Sequence, residues 1–139
     1  MEYVYTIGMT ETEIQRRLRD ERIGVLSLAN GNDAYALPLG FHYEDGSLLF
    51  RLGDTVESQK MAYVDTTNEA CFLLYGVSSP ENSWSIVASG QLDEVDAPEI
   101  ASIRRRFGPL RVFDEVVEDM ALRFFELDIE TIAGRRTTA

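Results

Sequence analysis

Ile14 and Leu18 are the first apolar positions with helical spacing, a narrow stripe on an otherwise polar segment that runs to about Arg22. Thr10 and Glu13 stand before it at capping-box spacing and Met9 and Ile14 at the staple positions, so the pattern predicts a short amphipathic helix. The period then changes to two. Gly24 to Ala29 is an apolar run, Asn30-Gly31-Asn32-Asp33 a turn cluster, and Ala34 to Tyr43 extended structure that leads through the turn Glu44-Asp45-Gly46 to a strand over Leu48 to Arg51. Three strands joined by tight turns predict an antiparallel meander.

Gly53 to Glu57 reads as a loop, Ser58 to about Val64 as a short helix, and Cys71 to Tyr75 as a fourth strand. After the Ser78-Ser79-Pro80 turn, Ser83 to Val95 alternates, with Trp84, Ile86, Ala88 and Leu92 on one side and Ser85, Val87, Ser89 and Gln91 on the other. Asp96 caps a predicted helix from about Pro98 to Phe107, which Gly108-Pro109 ends, and a last strand alternates Phe125, Leu127 and Ile129 with Glu126, Asp128 and Glu130. Six or so strands with peripheral helices predict a small, mainly β barrel. The 139 residues, without internal repeat or linker, suit one domain covering 1–139.

Charge narrows the partners. With 24 acidic residues against 13 basic ones the formal charge is -11, the wrong sign for nucleic acid or an anionic membrane. The cations are twelve Arg and one Lys, Lys60, while the carboxylates spread along the whole chain, so a salt-adapted surface and a halophilic source are expected, the alternative being an ordinary acidic cytosolic protein. The single cysteine, Cys71, sits among Ala70, Phe72 and Leu73 and reads as a small buried hydrophobe. No apolar run approaches bilayer length and residues 1 to 20 lack the order of a signal peptide, so a cytoplasmic location is expected.

Much familiar chemistry is missing. There is no Gly-x-Gly-x-x-Gly after a strand and no Walker loop, and one histidine, His42, cannot supply a two-histidine metal site; carboxylate sites stay open, but among 24 carboxylates a chance pair is uninformative, and no metal is assigned. A serine triad would have to recruit His42, which has no nucleophile-elbow sequence to partner it. The unusual residues gather between Pro38 and Lys60. Lys60 stands where a Gly-Asp-Thr loop runs into a predicted helix start, with Ser58 as candidate cap, Gln59 alongside and Arg51 upstream. Free amides, a hydroxyl and an ammonium suit a phosphate; the other reading is an exposed Lys60 paired with Glu57.

The run from Pro38 through His42 to Phe50, then Ser58-Gln59-Lys60, then Asn68 to Phe72, resembles the pyridoxamine 5'-phosphate oxidase-like, FMN-binding split-barrel superfamily, nearest the branch that includes nitroimidazole-resistance proteins. The resemblance continues through Trp84 to Gly90 and to Ile132-Ala133-Gly134-Arg135-Arg136. It implies a six-stranded antiparallel split β-barrel with peripheral helices and a homodimer holding FMN at the subunit interface. Pro38, Leu39, Gly40, Phe41 and His42 then run along the flavin ring, Ser58, Gln59 and Lys60 meet its phosphate with Arg51 nearby, and Trp84 and Ser85 reach the cofactor at the subunit boundary. True oxidases of pyridoxamine phosphate carry a basic residue where Gly40 stands, Arg where Gln59 stands and Gln where Ser85 stands, which sets this chain apart from them. No side-chain acid or nucleophile is needed, because the cofactor carries the reaction. The expected function is FMN-dependent hydride or electron transfer with a small-molecule substrate; the alternatives are a non-catalytic flavin carrier or sensor, and a split barrel holding a deazaflavin or haem. The apolar face Trp84, Ile86 and Ala88 is the expected dimer contact.

Since salt screens carboxylate repulsion, the melting temperature should rise from low salt to molar potassium chloride. Equal or lower stability in molar salt, followed by circular dichroism, removes the halophilic assignment.

Overall fold

The computed structural model describes residues 5–54, 59–95 and 121–138. Seven strands and two helices follow in the order β1 (Thr6–Gly8), α1 (Glu11–Asp20), β2 (Ile23–Asn30), β3 (Asp33–Glu44), β4 (Ser47–Asp54), α2 (Gln59–Thr66), β5 (Glu69–Ser79), β6 (Asn82–Glu94) and β7 (Ala121–Thr137). The expected helix from Pro98 to Phe107, its Asp96 cap and the Gly108-Pro109 break lie outside the described residues. No described helix is long and apolar enough to cross a membrane.

All pairings are antiparallel, in the order β1-β7-β4-β3-β2-β5-β6, and β6 pairs again with β7. Strands β2 to β7 therefore close into a ring of six, the mainly β antiparallel barrel that the alternation predicts. Hairpin turns set the register of its first half. Gly31-Asn32 connects the Asn30↔Asp33 pair, with Gly31 at φ 61°. Asp45-Gly46 connects Glu44↔Ser47 with φ values of 49° and 82°, the positive pair that a type I′ turn requires and that matches strand twist. Strand β1 was not legible in the pattern: it is three residues long, exposed throughout, and forms by pairing Thr6↔Thr137 and Gly8↔Arg135 on β7.

Inward positions fill the ring. Phe41 meets Phe72 edge-on at 4.9 Å between centroids, Phe50 lies 5.5 Å from Phe72, and Leu26, Leu74 and Leu127 complete the packing. On β6 the inward set is Ile86, Ala88 and Leu92, as the alternation predicts, with Trp84 half-buried against them. Ile86 and Ala88 are fully enclosed by their own barrel, so they cannot form the expected contact with a second copy. On the opposite face of β5 and β6, Tyr75, Val77 and Val87 are exposed apolar side chains.

Strand β7 runs seven residues beyond the expected end near Glu130 because a bulge hides its continuation. Gly90 pairs Ile129 while Ser89 pairs Thr131, leaving Glu130 as the extra residue, so inward positions change from odd (Phe125, Leu127, Ile129) to even (Gly134, Arg136). Past the bulge Ile132 is the one large apolar residue on the inward side, followed there by Gly134 and Arg136, so no sustained apolar alternation remains to be read.

Helix α1 lies across one mouth of the barrel. The Thr10 N–H donates to Glu13 Oε1 at 3.0 Å and the Glu13 N–H to Thr10 Oγ1 at 3.2 Å, closing the capping box. Ile14 and Leu18 are buried, and Gly134 admits the helix start, since a Cβ there would press on Met9, Ile14 and Ile86. The helix ends at Asp20 rather than near Arg22, because Glu21 is already extended at φ -86° and ψ 154°. Its exit is tied to β3 by the Phe41 N–H, which donates to the Arg22 carbonyl at 3.0 Å. Helix α2 is held by the Thr67 hydroxyl at the Ala29 and Tyr63 carbonyls, by the Tyr35–Tyr63 stack at 5.1 Å, and by Arg123, which reaches both Asp65 and Glu94.

Two outcomes test this architecture. A Cβ on Gly90 would run into the Asp128 carbonyl at the bulge, so Gly90→Ala should cost at least about 3 kcal/mol in denaturant unfolding, the upper range for overpacking. The Thr10 backbone N–H chiefly, with the Thr10 hydroxyl and Arg136 adding, holds the Glu13 carboxyl below its ordinary value of 4.5, against a smaller opposing effect of burial. A depressed carboxyl stabilises fully above its unfolded pKa and stops doing so as pH falls through the folded one. The difference in melting temperature between wild type and Glu13→Gln should thus be constant above about pH 5 and close on acidification; a gap that persists at pH 2 contradicts the charge-based account.

Candidate functional site

Small residues on the outer face of β6 create a groove. Ser83 and Ser85 face outward between Val77 and Tyr75 of β5 on one side and Arg135 of β7 on the other. Short side chains between long ones leave about 520 Å³, within the range of roughly 300–1,000 Å³ typical of small-molecule sites. Arg135 is fixed at the rim by its Nε and Nη2 donating to the Thr6 hydroxyl and carbonyl at 3.1 and 2.7 Å, so β1 serves to hold this side chain.

Trp84 lines one end of the groove, with its side chain turned toward the barrel mouth and packed against the core. Its indole lies over Gly76, where any Cβ would collide with it, and the Arg17 guanidinium covers it at 4.4 Å from the ring centroid. Such a cation above an aromatic face contributes about 0.5–1 kcal/mol at an exposed site, and together the two contacts fix the ring. Beyond Trp84 a second cleft of about 280 Å³ opens at the barrel mouth between α1 and the ends of β6 and β7. Arg136 spans its floor, donating from Nε to Glu13 Oε2 at 2.7 Å and from Nη1 to the Thr137 carbonyl at 3.1 Å.

The other expected contacts lie across the ring. On β3, Leu39 and Phe41 point into the core, so their backbone is what they offer a ligand, while Pro38, Gly40 and His42 face outward. His42 Nε2 stands 3.8 Å from Glu44 Oε2. Arg51 sits on β4 opposite Phe124. Gln59 and Lys60 open α2, which places them at a helix start as expected, and Ser58 lies outside the described residues. Among the described residues no group of three potential metal-ligating side chains comes together.

Two strands separate β3 from β6 in either direction round the ring, so the outward faces of these strands look away from each other. One copy brings Trp84 and Ser85 together with Arg135 and Arg136, and sets Pro38, Gly40 and His42 on the strand beside Arg51. It does not bring these two sets together, since Phe41, Phe50 and Phe72 fill the space between. Sequence reasoning missed Tyr75 and Val77 as walls and Arg16 and Arg17 as lining of the mouth. Tyr75 ends the predicted fourth strand and Val77 lies just beyond it, and the arginines fall in the polar part of the predicted amphipathic helix. Arg135 and Arg136 belonged to the resemblance without a role; the pairing of β7 with both β6 and β1 supplies their position.

Comparison with known proteins supports this architecture. An FAD-binding protein from Mesorhizobium loti superposes with a TM-score of 0.77 at 18% identity, over 97% of this chain and 99% of that one. An FAD-binding protein from Mycobacterium smegmatis gives 0.68 at 16%, over 94% and 98%. A candidate 5-nitroimidazole antibiotic resistance protein from Bacteroides thetaiotaomicron gives 0.72 at 15%, over 98% and 90%. No curated protein matches the sequence. Residues 10–136, from the cap of α1 to the arginines of β7, match the family described as pyridoxamine 5'-phosphate oxidase, and the chain belongs to that family.

Proposed function

We propose that the protein is a flavin-dependent oxidoreductase that works as a homodimer, with FMN held between the β3–α2 side of one copy and the β6 groove of the other. The groove carries this proposal: it is lined by apolar side chains, small at its base, bordered by Trp84 and edged by the Arg135 guanidinium. A flat heteroaromatic ring with acceptor atoms at its rim fits those properties. Further support comes from the two structural neighbours named as FAD-binding proteins. Because the two sets of contacts face away from each other in one chain, only a second copy completes the site. Tyr75, Val77 and Val87 are 59%, 67% and 46% exposed, which is the apolar surface such a copy would cover.

A bound flavin supplies hydride or electron transfer, and the protein supplies orientation, electrostatics and exclusion of water. Trp84 is held by Gly76 and Arg17, so it is a rigid wall rather than a mobile cover. Arg135, anchored to Thr6, presents positive charge and donors at the groove rim. Lys60 and Gln59, at the start of α2 with Ser58 before them, are the proposed phosphate contacts.

The test begins with the visible spectrum of purified protein, which should show flavin absorption. Losing one charge-assisted contact costs roughly 1.5–3 kcal/mol, so Lys60→Ala should weaken FMN about ten- to a hundredfold and leave riboflavin affinity nearly unchanged. Val87→Glu places a charge on the proposed contact and should yield monomers by light scattering, with weakened flavin binding. A wild-type protein that is monomeric at micromolar concentration in molar salt, or that takes up no flavin, overturns the proposal.

A further inference from the structure

The cleft at the barrel mouth holds a concentration of positive charge that is out of keeping with the rest of the chain. The net charge is -11, yet three arginines from two elements line this one cleft, Arg16 and Arg17 from α1 and Arg136 from β7, against the single carboxylate of Glu13. Their capacity to bind is only partly used. Arg136 commits Nε to Glu13 and Nη1 to the Thr137 carbonyl, leaving Nη2 without a partner among the described residues. Arg17 lies against Trp84 and meets Glu21 only at 4.0 Å, and Arg16 makes no ion pair among the described residues. Asn82 also lines its edge.

We propose that this cleft binds the oxyanion, carboxylate or phosphate, of a small organic molecule. A planar guanidinium matches both groups with paired N–H donors, and a local positive field inside a strongly negative surface draws anions to one place. The cleft meets the β6 groove at Ser83, Trp84 and Arg136, which line both. A molecule anchored here therefore extends past Trp84 toward the groove, which makes small organic acids and phosphate esters the substrate class of the site. That assignment to a substrate rests on the flavin proposal; the anion site itself does not.

Trp84 is the only tryptophan, so its indole N–H resonance reports on the cleft without ambiguity. The purified protein, at fixed ionic strength, is titrated with phenyl phosphate, benzoate, inorganic phosphate and benzyl alcohol. Phenyl phosphate or benzoate should shift the indole resonance saturably and bind more tightly than inorganic phosphate, the two arms separating phosphate from carboxylate, while benzyl alcohol should not bind. Arg16→Ala, an exposed change that leaves the Arg17–Trp84 contact in place, should weaken the bound aryl anion about tenfold, the low end for an exposed charge-assisted contact. Binding of benzyl alcohol as tightly as phenyl phosphate, no saturable shift with either aryl anion, or an unchanged affinity in Arg16→Ala overturns the anion site. Loss of flavin affinity in Arg16→Ala assigns the arginines to the cofactor and overturns it too. Protein that binds flavin but neither aryl anion refutes this inference alone; protein that binds the aryl anion but no flavin refutes the flavin proposal and the substrate assignment, and keeps the anion site.

Discussion

The pairing of β6 with β7 is the interaction on which the other features rest. Without it, β2 to β7 form an open sheet with two long free edges; with it, the edges disappear and the inner faces of six strands surround one core. Closure also fixes the register of the C-terminal residues, and the bulge opposite Gly90 turns Arg136 inward beside Trp84 while Arg135 faces the outer groove. The site is thus a consequence of how the ring closes.

Closure divides labour between the two faces of each strand. Residues facing in, such as Phe41, Phe72 and Ile86, are spent on stability and cannot touch a ligand except through their backbone. Residues facing out on β5 and β6 are free of that duty, and there the chain combines exposed Tyr75, Val77 and Val87 with the small Ser83 and Ser85. Exposed apolar side chains beside a groove cost solubility unless something covers them, which ties the groove and the proposed second copy to one surface.

Helix α1 links the core to the mouth. Its apolar stripe, Ile14 and Leu18, is buried in the barrel, and its polar face delivers Glu13 to Arg136 and Arg17 to Trp84. The same ten residues therefore plug the barrel, steady the indole and gather cations in an acidic chain. In the position of α1, sequence-local capping and long-range packing agree, since the capping box starts the helix where Gly134 leaves room for it.

The sequence by itself determined those elements whose causes are local. The α1 cap, the two-residue turns at Gly31-Asn32 and Asp45-Gly46, and the alternation of β6 all follow from residues within a few positions of one another, and each is where the pattern puts it. The family resemblance was equally legible, because it rests on runs such as Pro38 to Phe50. Tertiary structure alone decided the rest. Strand β1 and the end of β7 have no periodic signal, as one is too short and the other changes parity at Glu130. Which face of β6 is free for a partner could not be read from its alternation, because an apolar face suits a core and an interface equally well; the ring claims Ile86 and Ala88 and leaves Val87 outside. Arg16 and Arg17 lie in the polar part of the α1 segment, and Arg136 lies far from them in sequence. Only closure of the barrel under α1 brings the three to one cleft, since a charge cluster assembled from distant segments leaves no trace in local spacing.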